Sequence, residues 1–255
     1  MSGPTPIREW FRDWFGEEYI SLYPHRDESE ARAAVDLFLA AVPPGPRAKV
    51  LDLACGAGRH MRELRAAGLQ ATGLDLSSAL LRRAHSQAPV DPLVRADMRE
   101  IPFEDGAFDA LTNFFTSFGY FREPLDDRRV LGEMRRVVRR GGGFMLDFLN
   151  ADRVRRELVP EDTRELDGKR IIQRREILDG CVIKRIRIES TTDGSARDFE
   201  ERVRLYSRGE ITALLEEAGL EIRHRFGDYE GAAFGSASPR LILAGRVTGP
   251  PEAAR

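Results

Sequence analysis

The stretch Val50-Leu51-Asp52-Leu53-Ala54-Cys55-Gly56-Ala57-Gly58-Arg59-His60 reads as a short buried strand, a turn carrying two glycines, and the opening of a helix. Gly56 and Gly58 let backbone approach a ligand closely, and the amides at the following helix start favour acceptor or anionic groups. A tight strand-to-helix turn uses glycine for steric reasons too, so this turn alone says little. Asp75 adds the second element, because it closes the next apolar strand as Gly73-Leu74-Asp75-Leu76. A carboxylate at that strand end can accept both hydroxyls of a ribose, each charge-assisted bond contributing about 1.5–3 kcal/mol.

The turn also excludes ligands. A dinucleotide fingerprint needs a third glycine three residues after the second, and that position is Met61. No Lys-Ser or Lys-Thr follows the turn, so a triphosphate cradle is missing as well. Asp52 would repel a pyrophosphate but can hold an ammonium, directly or through water, which suits a cofactor that bears an amino acid. Its alternative role is to cap the turn.

Outward from this turn, short apolar runs at 49–54, 70–75, 92–96, 108–113 and 143–149 alternate with helical patterns at 58–67, 77–86 and 125–139. That is the rhythm of a parallel sheet covered on both faces. Gly141-Gly142-Gly143 reads as the stop of the last helix. Upstream, the spacing of Ile7, Trp10, Phe11, Trp14, Phe15 and Ile20 predicts one amphipathic helix from Pro6 to Tyr23. Asp27 and Glu30 form a capping box for a second helix, which Pro43-Pro44-Gly45-Pro46 ends. After Asn150 the period changes to alternation. Segments near 168–178, 181–191 and 198–206, with Asp179-Gly180 and Asp193-Gly194 as turns, predict an antiparallel meander. Ser207 with Glu210 caps a helix through Leu215, and 219–226 with 240–247 form a strand pair that rejoins the main sheet.

The residues resemble the class I S-adenosylmethionine-dependent methyltransferases. The match runs through the glycine turn 50–58, then Gly73-Leu74-Asp75, Ala96-Asp97-Met98, Phe108-Asp109-Ala110-Leu111 and Gly141-Gly142-Gly143-Phe144. The resemblance implies an α/β fold: a doubly wound, seven-stranded, mostly parallel sheet of the Rossmann-like methyltransferase type. N-terminal helices and an inserted antiparallel β-meander complete it. It implies S-adenosylmethionine as cofactor, S-adenosylhomocysteine as product, and no metal. Gly56 and Gly58 would line the methionine moiety, Asp75 hold the ribose, and Asp97 with Met98 flank the adenine. Asp52, Ala54, Leu76 and Asn113 complete the expected cofactor contacts. Ala54 is a departure, since many members carry glycine there. The units expected are a helical lid at 1–45, a cofactor core at 46–150, a substrate-covering sheet at 151–206 and a return to the core at 207–255. The meander resembles the substrate cover of glycine and amino-sugar N-methyltransferases.

Methyl transfer is an in-line displacement whose main demand is positioning, worth about 7–11 kcal/mol in favourable cases. Beyond the fourth strand lies Asn113-Phe114-Phe115-Thr116-Ser117-Phe118-Gly119-Tyr120-Phe121, a run too apolar to be wholly wet. It supplies Phe115, Ser117 and Tyr120 as candidate acceptor contacts. Trp14, Tyr19 and Tyr23 of the lid and Tyr229 beyond the penultimate strand join them. Tyr120 and Asp147 are the catalytic candidates, Asp147 as a base or as the group that orients an amine. Cys55 reads as a packed small side chain, and His60 as either a contact to the cofactor's carboxylate or a surface residue. Arg174, Arg175, Arg185 and Arg187 of the meander, matched by Glu176 and Glu189, admit two readings: a solvated sheet face or a site for an acidic substrate.

Composition sets the remaining bounds. The chain has 255 residues, 42% hydrophobic and 32% charged, a globular balance. Lys and Arg number 40 against 42 acids, for a net charge of -2, so no strong positive field draws it to nucleic acid or anionic lipid. No run approaches the roughly 18 apolar residues of a membrane span. Met1 to Trp14 lacks a signal-peptide apolar region. Two cysteines are too few for a disulfide framework. These features predict a cytoplasmic enzyme with a small-molecule acceptor and without a membrane partner. The rivals are an RNA or protein methyltransferase and a non-catalytic scaffold that keeps the cofactor pocket.

Overall fold

A computed structural model of the chain describes residues 9–23 and 28–248. Its centre is a seven-stranded sheet built from β1 (Lys49–Leu53), β2 (Gln70–Asp75), β3 (Leu93–Arg95), β4 (Phe108–Asn113), β5 (Val138–Leu149), β10 (Leu220–Phe226) and β11 (Arg240–Val247). The order across the sheet is β3-β2-β1-β4-β5-β11-β10. The first five strands run parallel and β11 alone is antiparallel to its neighbours. The expected α/β class and seven strands are therefore present.

Alternation along the strands divides the core in two. Leu51, Leu53, Leu111, Phe144, Leu146 and Leu243 face one layer with α6 (Pro124–Val137) and α8 (Arg208–Glu217). Val50, Ala71, Ala110, Met145 and Ile242 face the other, with α3 (Glu28–Ala41) and α4 (Arg59–Ala66). Both faces are dry, so the strands read as continuous apolar runs. Strand order reverses between β1 and β4, and this switch opens a crevice at the carboxyl ends, where open α/β sheets bind ligands.

Three expectations need correction. The glycine run does not stop a helix: α6 passes at Val137 directly into β5, and Gly141, Gly142 and Gly143 lie inside that strand. The cause is close approach. A Cβ on Gly142 would meet the Asp109 backbone oxygen at 2.6 Å, and one on Gly143 would collide with Val42. Register slips here, from Phe108 opposite Val138 to Ala110 opposite Gly143.

The single N-terminal helix is two, α1 (Trp10–Trp14) and α2 (Glu17–Leu22), broken where Gly16 adopts an extended conformation. Pro6 and Ile7, and Asp27 of the proposed capping box, lie outside the described residues. The meander has four strands instead of three, in the order β6 (Glu161–Leu166), β7 (Lys169–Leu178), β8 (Cys181–Ser190) and β9 (Ala196–Arg204). The added strand β6 is polar and mostly exposed, and the Asp167-Gly168 turn joins it to β7. The remaining helices are α5 (Ser78–Gln87) and α7 (Ala151–Glu157). Among the described residues, no helix is long and apolar enough to cross a membrane.

Candidate active site

Between β1 and α4 the backbone turns left-handed three times, at Ala54 (φ 57°), Gly56 (φ 56°) and Gly58 (φ 78°). The Cys55 N–H donates to the Leu74 carbonyl at 3.0 Å and the Gly58 N–H to the Cys55 carbonyl at 2.9 Å, so the turn is pinned to β2. Asp75 completes the pinning. Its carboxylate accepts the Gly56 N–H at 2.9 Å and the Ser77 N–H at 2.7 Å. Burial nevertheless raises its pKa, with these backbone bonds opposing the shift.

A cavity of about 780 Å³ opens above this turn. Of the cofactor residues read from the sequence, Ala54, Gly56, Asp75, Leu76, Asp97 and Met98 stand on its wall, while Asp52, Gly58 and Asn113 do not. A Cβ on Gly58 would press on Ala84 at 3.2 Å, so this glycine packs α4 against α5. Asp52 is 1% exposed. One oxygen accepts the Thr112 hydroxyl at 3.2 Å and the other has no protein partner among the described residues. Burial pushes its carboxyl up to about 7, partly offset by the Thr112 bond. Asn113 donates to the Leu53 carbonyl at 2.9 Å, and its own Oδ1 has no protein partner among the described residues. Burial raises Asp97, but bonds from the Arg99 backbone and guanidinium outweigh it and hold the carboxyl below its usual range. Burial also raises the Cys55 thiol, helped by Asp75 and Asp52, which keeps it protonated.

The candidate acceptor contacts divide similarly. Tyr19, Tyr23, Phe115, Ser117 and Tyr120 line the cavity, whereas Trp14 and Tyr229 are buried outside it. The Tyr120 hydroxyl donates to the Thr116 carbonyl at 2.6 Å, and its ring stacks on Phe15 with centroids 5.9 Å apart. Asp147 does not reach the cavity wall. It is wholly buried and accepts bonds from Arg240, the Tyr229 hydroxyl and the Phe115 N–H, the last at 2.7 Å. Burial and the Asp147 charge together raise the Tyr229 phenol. This clamp fixes the loop after β4, where Phe115 (φ 60°) and Thr116 (φ 57°) are both left-handed. Such strain costs of order 1–3 kcal/mol per residue and clusters at functional sites.

Ser77, Lys184 and Glu201 stand on the wall without being sequence candidates, while His60 and Arg175, each read two ways from the sequence, stand there too. Ser77 caps α5 by accepting the Leu80 N–H at 3.1 Å, and its hydroxyl donates to the Phe15 carbonyl, tying the N-terminal helices to the strand end that carries Asp75. Its signal was the serine three positions before a helical apolar residue. His60 is buried on the wall and stacks on Phe114 at 4.5 Å. Arg175, Lys184 and Glu201 reach the cavity from the meander. Their signal was a polar residue in the inward phase of an otherwise apolar alternation.

The glycine turn, Asp75 and strands β2 to β4 fall within residues 50–142, which match the family model described as a methyltransferase domain. Over that stretch the chain is similar to a methyltransferase domain. Among curated relatives, it is 37% identical over 145 residues to a demethylmenaquinone methyltransferase of Thermotoga maritima, covering 56% of each chain. It is 29% identical over 202 residues to a dTDP-4-amino-2,3,4,6-tetradeoxy-D-glucose N,N-dimethyltransferase of Saccharopolyspora spinosa, covering 77% of this chain and 80% of that one. Except for the sugar enzyme, the chain spans about half the length of the curated relatives it matches. A solved S-adenosylmethionine-dependent methyltransferase from Clostridium acetobutylicum shares the fold at a TM-score of 0.79 with 19% identity, over 93% of this chain and 99% of that chain.

Proposed function

We propose that this protein transfers a methyl group from S-adenosylmethionine to a small-molecule acceptor bound in the 780 Å³ cavity. The observation that carries the reading is continuity: one cavity joins the glycine turn and Asp75 at its floor to aromatic rings of α1 and α2 and to the meander above. The residues suit the cofactor. Gly56 offers bare backbone, and Asp75 keeps lone pairs beyond its two backbone bonds.

When bound, S-adenosylmethionine supplies an electrophilic methyl on a sulfonium. The chain's own part is to hold and to exclude. Asp75 accepts ribose hydroxyls; Asp97 and Met98 flank the base; Phe115 and Ser117, on the clamped loop, position the acceptor. Trp10, Phe15, Tyr19 and Tyr120 displace water from above, which strengthens every polar contact inside. Trp10 helps fix this roof through an indole N–H to the Tyr120 carbonyl at 3.2 Å. Asp147 acts as a positioning residue for that loop. The balanced charge and the two buried cysteines favour a cytoplasmic enzyme for a small metabolite over one for RNA or protein. The test is a labelled-methyl assay over a panel of small amines, phenols and acids. Label transfer to at least one of them is expected, and transfer only to RNA or protein would replace the reading.

A further inference from the structure

The pleat of the meander separates the arginines that the sequence groups together. Arg174, Arg185 and Arg187 point outward, where Glu161, Glu176, Glu189 and Asp198 pair with them. Arg175 lies on the other face. There it stands directly opposite Lys184, which in turn stands directly opposite Glu201. Ile171, Ile186, Ile188 and Val203 share this face, as do Gln173, Lys169 and Arg197, of which Lys169 and Arg197 pair with Glu18.

Two like charges facing each other across neighbouring strands destabilise a sheet. Arg174 and Arg185 make the same juxtaposition outside, but their side chains are 69% and 54% exposed, and water and salt screen them. Arg175 and Lys184 are only 22% and 17% exposed, on the wall of the cavity, so screening is weak. Each has one carboxylate, and both carboxylates lie on the far sides. Asp162 of β6 pairs with Arg175 at 2.5 Å, and Glu201 of β9 pairs with Lys184 at 2.7 Å. Across the sheet the charges therefore run minus, plus, plus, minus, with the two cations adjacent.

The donors are not used up. Arg175 spends its Nη atoms on Asp162, the Gln173 side chain at 2.7 Å and the Val159 carbonyl at 3.4 Å, and Nε has no protein partner among the described residues. Lys184 spends two N–H groups, on Glu201 and on the Tyr23 hydroxyl at 3.4 Å. The geometry of the row is fixed at its end, where the buried Trp14 indole donates to Glu201 at 2.5 Å.

We propose that Arg175 and Lys184 form an anion-recognition pair on the cavity roof, so that the methyl acceptor is a small molecule bearing a carboxylate or phosphate. The proposal rests on the methyltransferase reading above. It makes Arg175 and Lys184 specificity-determining residues, with Glu201 as the counter-charge that sets how strongly they attract.

Calorimetric titration of inorganic pyrophosphate and of malonate into the full-length protein, free and loaded with S-adenosylhomocysteine, tests it at constant ionic strength. At least one anion should saturate a single site, and which one binds separates phosphate from carboxylate recognition. Lys184→Met and Arg175→Met should each weaken that binding about tenfold or more, as loss of a charge-assisted bond implies. Glu201→Gln, which keeps an acceptor for Trp14, should tighten it several-fold. A purely structural ion pair would not respond in opposite directions, and thermal unfolding checks that each variant is folded. The proposal is overturned if neither anion binds, if the Met variants bind unchanged, or if Glu201→Gln fails to tighten. It is also overturned if the anions compete with S-adenosylhomocysteine and Lys184→Met weakens that ligand equally, because the pair would then serve the cofactor's carboxylate. Absence of S-adenosylhomocysteine binding would remove the methyltransferase reading itself, whereas its binding without an anion response removes only the pair.

Discussion

At the floor of the cavity the backbone holds the groups proposed to meet the cofactor. Asp75 is gripped by the N–H groups of Gly56 and Ser77, and the glycine turn by the Leu74 carbonyl. At the roof, side chains hold one another. Trp14 bonds Glu201, Glu201 pairs with Lys184, and Glu18 of α2 pairs with Lys169 and Arg197. A backbone-built floor keeps its shape under most substitutions and suits a constant ligand. A roof built from side chains can be rewritten residue by residue, which suits the part that selects an acceptor.

The sharpest way to break this contrast is to attack the clamp that fixes the loop after β4. Asp147→Ala leaves Arg240 and Tyr229 without their shared acceptor. Removing one partner of such a buried pair costs about 3–5 kcal/mol. Urea denaturation should show a loss of that size, and a loss below about 1 kcal/mol would refute the clamp. Next, Asp75→Ala tests the floor alone. Affinity for S-adenosylhomocysteine should fall by about 1.5–3 kcal/mol in calorimetry, and the thermal midpoint should fall as well, because the Gly56 and Ser77 N–H groups lose their acceptor. Unchanged affinity would remove Asp75 from the site.

A third test uses pH. The Asp52 carboxyl, raised by burial to about 7 from 3.8, holds a proton in the folded state that the unfolded chain releases. Stability therefore falls as pH rises through that interval, and Asp52→Asn should remove this part of the slope. Equal slopes in both proteins, measured by thermal unfolding between pH 5 and about 8, would contradict it. The smallest effect belongs to the roof. Trp14→Phe removes one hydrogen bond to Glu201, a change of about 1 kcal/mol in stability, and should leave cofactor affinity as it was. A drop in cofactor affinity would blur the division between floor and roof.

How far each region could be read in the sequence follows the same division. The floor was legible because its parts are local: a strand, a turn and a helix start within 50–60, then an acid closing the next strand. The resemblance supplied the order in which they assemble. The roof was not, since the Trp14–Glu201 contact joins positions 187 residues apart and no local pattern announces it. Alternation still showed that 181–191 is a strand, but not that Lys184 faces inward onto a cavity. β6 escaped because its residues lack an apolar phase, although Asp167-Gly168 marked its turn. The run 141–143 misled for a physical reason as well. Glycine serves equally at a helix end and where strands crowd a neighbour, and only the positions of Val42 and Asp109 decide between them. Asp147 looked like a base because acids at strand ends often meet ligands, while its actual partners come from β11 and the loop before it.

The most direct test of the central claim, that floor and roof close around one ligand site, is amide hydrogen exchange with and without S-adenosylhomocysteine. The account predicts slower exchange both at 54–58 with 75–77 and in α1 and α2, whose Phe15 carbonyl is tied to Ser77. Protection that spares the glycine turn and Asp75, or no change anywhere at saturating ligand, would contradict it.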